Sequence, residues 1–366
     1  MSIELITESA RKLFDREFDL GYMRRYRGSH EPGTDRLVRL CQEMGWHGLV
    51  IREAQGGFGY ELDALCALLQ ELGRAAFPRL YFSHFVAPVL LLDALVDSPA
   101  ASRAAEAIAD CSVIPVVATG TSTVEAFAGV DSFRQDEGTD GARITGRAGS
   151  VCDADSANVL FVPALRQDGA IALHAIEKGR SGVSISEQVD DAYGRTFSVG
   201  CKDVAVGTDS LLGVLTQASL RRVYGRCAIA QSATLIGNAQ RALAFALEHI
   251  MVRKQFGKLL AEFQAVQHQA ADMYRAVDVA QLFLAEAIER SGGDSLLEVA
   301  SWCKAWANDA ACQASATSHQ LMGGTGYMQE TDLHLLTTLA LRGQYEFGSA
   351  DYHREIVADL VSDTGS

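Results

Sequence analysis

The chain has 366 residues, 48% hydrophobic and 21% charged, a mix that fits two or three packed units and excludes a disordered protein. Its 46 acidic residues outnumber 32 basic ones, and the net charge of −14 repels nucleic-acid phosphates and anionic membrane surfaces. No apolar run approaches the roughly 20 residues of a membrane helix, and the opening MSIELITESARKLFDREFDLGYMRRYRG mixes acids with bases where a signal peptide would be apolar.

Residues 1–110 read as helical. DRLVRLCQEMGWHGLV places Leu37, Leu40, Cys41 and Met44 at steps of three and four, and ELDALCALLQELGRAAF does the same with Leu62, Leu65, Leu69 and Leu72. Between them Gly56, Gly57 and Gly59 break the helix. Over 111–208 the period changes. VIPVVATG, ARITGRAGSV, ANVLFVPAL, AIALHAI and GVSISEQV are short β-branched runs separated by turn clusters such as QDEGTDGA, which predicts a small β-barrel or sandwich.

From 209 to 366 helix returns. Leu259, Phe263, Val266, Ala270, Met273, Val277 and Ala280 form one stripe, ERSGGDS (289–295) breaks it, and a second long helix runs through LLEVASWCKAWANDAACQASATSHQLM. Long amphipathic pieces with short breaks pack as an antiparallel bundle, so the fold class is α+β: an N-terminal helical domain, a middle β domain and a C-terminal four-helix bundle. Trp302 and Trp306, one turn apart, read as core. Arg221, Arg222 and Arg226 form a basic patch that reads first as counter-charge in an acidic protein and second as a site for a phosphate-bearing ligand.

Eight dispersed cysteines without a C-x-x-C pair suit a reduced, cytoplasmic chain in which thiols act as small buried groups, and metal-ligand spacing is absent.

Two stretches carry more than periodicity: MVRKQFGKLLAEFQAVQHQAADM (251–273) and HQLMGGTGYMQETDLHLL (319–336). With EMGWHGLVIREAQGGFG and the helix–strand–helix order, they resemble the acyl-CoA dehydrogenase family over essentially the whole chain. The resemblance implies an FAD-containing tetramer that desaturates an acyl-CoA thioester between Cα and Cβ. A glutamate takes the α-proton, the flavin takes the hydride, and electron-transfer flavoprotein is the electron-accepting partner.

It also implies roles for particular residues. Arg253, Gln255 and Phe256 match positions that reach a neighbouring subunit's FAD, where a guanidinium suits the pyrophosphate. Gln320, Gly323 and Gly324 match a second segment that crosses the interface; read alone, MGGTG also suits a helix C-cap. In the middle domain Ser150 stands where the family has tryptophan, and Cys152 where it has a flavin-contacting hydroxyl.

Glu346, in QYEFGS, is the acidic candidate for the base, although ungapped counting from Gly323 and Gly324 puts the family's glutamate on Phe347. The alternative place for a base, on the first long C-terminal helix, is closed: no Asp or Glu occurs between Asp209 and Glu248. Segments serving a neighbour's flavin are kept while those serving the chain's own are altered. This asymmetry resembles the accessory-type subunit of heteromeric members that act on bulky lipid or steroid thioesters, paired with a paralogous subunit in a heterotetramer. The alternatives are a homotetramer using Glu346 and a scaffold that binds no flavin.

Overall fold

The computed structural model describes residues 2–29, 34–130, 132–138, 141–188 and 195–364. Helices come first, then a mixed sheet, then a helical bundle. Two compact units divide the chain without following that order: residues 1–30, 62–77 and 228–366 form one, and residues 31–61 and 78–227 the other. No helix among the described residues is long and apolar enough to cross a membrane.

The first unit is helical apart from one short hairpin. Ile3–Arg16 starts at Ser2, whose hydroxyl accepts the Leu5 N–H, and buries Ile6, Ala10 and Phe14 at four-residue steps. Leu62–Arg74 buries all four leucines of its stripe. It runs so close to Gln217–Val252 that both helices need glycine. A Cβ on Gly73 would stand 2.0 Å from the Thr234 carbonyl oxygen, and one on Gly237 would stand 1.9 Å from that of Gln70. Leu296–Met322 packs against Gln264–Glu289, Leu333–Gly343 and Ala350–Thr364. Its buried face is mostly Ala and Ser, whose small side chains admit three neighbours.

Two helical expectations change here. The stripe from Leu259 to Ala280 is not one helix. Residues 254–259 form a hairpin and the helix begins at Gln264, so Met273, Val277 and Ala280 are buried while Val266 and Ala270 are only half-buried. The cause is local: Phe256 and Gly257 both have positive φ, 51° and 81°, which a helix cannot contain. Trp302 and Trp306 are not core either. Each is 38% exposed and stacks on Phe283 of the preceding helix, at 6.3 and 5.6 Å between ring centroids.

The second unit holds an eight-stranded sheet: β1 (Pro115–Val117), β2 (Phe133–Gly138), β3 (Gly141–Cys152), β4 (Val159–Leu165), β5 (Ile171–Glu177), β6 (Val183–Gln188), β7 (Thr196–Val206) and β8 (Leu211–Leu215). The order is β6-β7-β3-β2-β4-β5-β8, with β1 also beside β4; β1–β4 and β2–β4 are parallel and the other pairs antiparallel. Phe133, Ile144, Leu160, Val162, Val199 and Val204 pack one face. Within QDEGTDGA, Thr139 and Asp140 lie outside the described residues; Gly138 and Gly141 pair on either side.

The run LLGVL, read from sequence as the head of the helical part, is the edge strand β8, with Gly213 opposite Leu173. A five-residue apolar run has no decisive period. The helix starts only after Thr216, whose hydroxyl accepts the Ser219 N–H at 3.0 Å.

Candidate functional site

All seven candidate site residues lie in the first unit, on three separate segments. The first is the hairpin that follows Gln217–Val252. Arg253 N–H still bonds His249 O at 3.0 Å, and then Lys254 and Gln255 pair with Leu259 and Lys258. Positive φ at both turn positions is the two-residue geometry that matches strand twist, and Gly257 is there for its backbone, since nothing lies within 4 Å of a Cβ placed on it. Phe256 at the tip is 92% exposed, its ring edge-on to Phe263 at 6.4 Å between centroids. Arg253 and Gln255 are exposed, and among the described residues the Arg253 guanidinium has no hydrogen-bond acceptor.

The second segment is the end of Leu296–Met322. Gln320 is exposed in the last turn. Gly323 closes the helix with φ 59° and ψ −142°, a conformation open in practice to glycine alone, and donates its N–H to His319 O. Neither Gly323 nor Gly324 has a heavy atom within 4 Å of a built Cβ. Tyr327 (76% exposed) and Met328 (51%) follow, the Tyr327 ring stacking on His319 at 4.6 Å. Burial holds the His319 pKa below its usual value, and its Nε2 meets Thr337 Oγ1 at 2.7 Å.

The third segment, residues 343–349, is built in the opposite way. Glu346 sits in a turn, and Arg342 Nε donates to its Oε1 at 3.2 Å, with only 15% and 12% of these side chains exposed. Phe347 has φ 53° and is fully buried. Beneath the turn, the buried Lys304 ammonium donates to Asn308 Oδ1 (2.5 Å), Gly348 O (3.0 Å) and Gly343 O (3.2 Å). Asn308 Nδ2 donates to Gln344 O (3.0 Å) and Gly348 O (3.2 Å). His353 Nε2 donates to Phe347 O at 2.6 Å, so Nδ1 accepts from Ser301 Oγ at 3.0 Å. Burial, reinforced by the Lys304 charge, pushes the His353 pKa down to about 3.

The sequence reading missed this frame. Its only signal was a lysine and an asparagine four apart on the face of a helix otherwise filled by Ala and Ser.

No hydrogen bond, ion pair or ring contact among the described residues joins the 253–259 hairpin, the 320–324 turn and Glu346 to one another. In the second unit, β3 bulges between Ala148 and Val151. Ser150 there has φ 56° and donates its N–H to Gln188 Oε1 at 3.1 Å, and Cys152 is buried. The basic patch resolves as counter-charge at Arg226, whose Nη1 stands 2.6 Å from Asp93 Oδ2, while Arg52 takes the other oxygen at 2.6 Å.

Comparison with known proteins decides the family. Residues 2–94 match the model for the acyl-CoA dehydrogenase N-terminal domain, and residues 221–361 match that for the acyl-CoA dehydrogenase C-terminal domain. The chain belongs to the acyl-CoA dehydrogenase family. A curated relative, acyl-CoA dehydrogenase FadE34 of Mycobacterium tuberculosis, is 28% identical over 323 residues, 86% of this chain and 40% of FadE34. The chain spans 60% and 44% of the length of two other curated relatives.

Among solved structures, the ChsE4–ChsE5 complex from Mycobacterium tuberculosis shares the fold at a TM-score of 0.87 and 20% identity, covering 98% of this chain and 97% of that one. The Tcur3481–Tcur3483 steroid ACAD shares it at 0.85 and 22%, covering 99% and 98%. The described helices, sheet and helical bundle are those of the acyl-CoA dehydrogenase fold.

Proposed function

We propose that the chain is one subunit of an FAD-dependent acyl-CoA dehydrogenase, and that it completes an FAD site whose flavin ring and base are held by a neighbouring, paralogous subunit. The observation that carries this reading is Phe347. At the position on which ungapped counting from Gly323 and Gly324 puts the family's glutamate there is a fully buried phenyl ring, its carbonyl bonded to His353 and its turn fastened to Lys304 and Asn308. The adjacent carboxylate, Glu346, is engaged by Arg342.

The residues present fit the outer part of a dinucleotide better than its ring. Arg253 and Gln255 would meet the pyrophosphate, Phe256 would pack on the neighbour, and the open backbone at Gly323 and Gly324 would admit a ribose or phosphate beside Gln320. The bulge at Ser150, its N–H already given to Gln188, offers a ring system no indole to lie against. When bound, the flavin supplies the hydride acceptor. This chain supplies a cation, hydrogen-bond donors and an apolar tip.

Two structural neighbours, the ChsE4–ChsE5 complex and the Tcur3481–Tcur3483 steroid enzyme, support a heteromeric assembly and a bulky lipid or steroid acyl thioester as substrate. In the enzyme co-expressed with its paralogous subunit, Glu346→Gln should leave turnover within about twofold of wild type. A loss of about a hundredfold or more would place the base on this chain and restore the homotetrameric reading.

A further inference from the structure

Beside the 320–324 turn, whose Met322 lines it, the first unit forms a cavity of about 660 Å³ between Ile3–Arg16, Leu62–Arg74, Gln217–Val252 and the turn at 330–332. Three guanidiniums line it: Arg11, Arg74 and Arg241. Arg11 is committed, its Nε and Nη2 donating to both oxygens of Glu71 at 3.0 and 2.5 Å, and the Glu71 side chain is only 8% exposed. Arg74 Nε stands 3.7 Å from Glu71, outside hydrogen-bond reach. Arg241 lies over the Phe245 ring at 4.6 Å, and its nearest carboxylate, Glu248, is 3.7 Å away and 67% exposed.

The side chains of Arg74 and Arg241 are 30% and 32% exposed, and among the described residues neither donates a hydrogen bond. Each guanidinium carries five N–H donors, and neither Arg74 nor Arg241 brings one within hydrogen-bond reach of the carboxylates that also line the cavity. Burial pulls the Arg74 pKa down, Glu71 opposes this, and the nearby Arg11 and Arg241 charges add to it. An oxyanion between Arg74 and Arg241 would relieve both the missing acceptors and the mutual repulsion.

The remaining lining narrows the class. Phe14, Phe18 and Phe245 offer aromatic surface for an apolar body. Asp15, Asp19, Glu330 and Asp332 also face the cavity, two of them held from outside it: Asp19 Oδ1 accepts the Tyr22 N–H at 2.7 Å, and Asp332 Oδ1 stands 2.9 Å from Arg24. One negative charge is matched by the arginine pair; a second would meet these acids.

We infer that this cavity is a binding site for an organic monocarboxylate, its carboxylate bridged by Arg74 and Arg241 and its apolar body resting on Phe14, Phe18 and Phe245. Flavin content and turnover do not enter the test, so its outcome is separable from that of the subunit reading. Calorimetric titration of the full chain with phenylacetate should show saturable binding, weakened about tenfold by Arg241→Gln and by Arg74→Gln, while phenyl phosphate and inorganic phosphate bind far more weakly.

Melting curves check that both variants fold; if Arg74→Gln does not, the Arg241→Gln titration decides. No phenylacetate binding, or binding unchanged in the folded variants, overturns the site. Phenyl phosphate binding as tight as phenylacetate overturns the monocarboxylate assignment.

Discussion

The 253–259 hairpin and the 343–349 turn follow helices in the same unit and are treated in opposite ways. The hairpin points a phenyl ring and a guanidinium outward, with 92% of Phe256 exposed and the Arg253 donors unspent among the described residues. The turn points its phenyl inward, and three buried polar side chains, one of them oriented by Ser301, tie down its carbonyls. An exposed ring and unspent donors are free to meet a neighbour, whereas a fully satisfied buried hydrogen-bond frame holds one shape. The difference is what the proposed subunit role requires: a closed base position on this chain and an outer surface open to a neighbour.

Acid should break the turn most strongly. The folded-state pKa of His353, about 3, lies below its unfolded value of 6.5, so the unfolded chain binds more protons between those limits. The stability this neutral imidazole contributes is fully present above pH 6.5. It is lost progressively as pH falls toward 3, on the order of 4 kcal/mol in all. Unfolding free energy measured against pH should show this slope, and His353→Asn should reduce it, the part that remains coming from His84 and His174, which burial lowers to about 4; an unchanged slope would remove His353 from the frame.

Next in size is Lys304→Met, which leaves Asn308 Oδ1 without its donor and weakens the hold on two glycine carbonyls. It should cost about 2–3 kcal/mol in chemical denaturation and speed hydrogen exchange at 343–349. A neutral result would mean that the turn holds itself. Gly323→Ala should cost about 1–3 kcal/mol through backbone strain alone, because the space around it is open. Arg253→Ala should change stability by less than about 0.5 kcal/mol, since the chain itself does not use that side chain. A large loss there would show that the hairpin is a structural element, and the contrast would fail.

Much of the fold was legible. The leucine stripes at 37–41 and 62–72 are buried as their spacing predicts, and the β-branched runs are strands. What could not be read was set by contacts distant in sequence or by dihedral angles. Nothing in LLGVL says that it completes a sheet through Leu173, and Phe256 and Gly257 stop a stripe whose apolar spacing continues past them. At the site, motif spacing found the outward segments because they depend on local residues. The inward frame of Ser301, Lys304, Asn308 and His353 was missed because its members come from helices some 50 residues apart, and each alone reads as an ordinary polar residue.

Flavin stoichiometry reaches the central claim most directly. The chain is purified alone, with its paralogous subunit, and with that subunit while carrying Arg253→Ala, and bound FAD per chain is measured by absorbance. The account predicts no FAD on the isolated chain, FAD on the pair, and an affinity at least about tenfold weaker in the variant pair. One FAD per chain on the isolated protein, retained at full affinity when Arg253 is replaced, would contradict it.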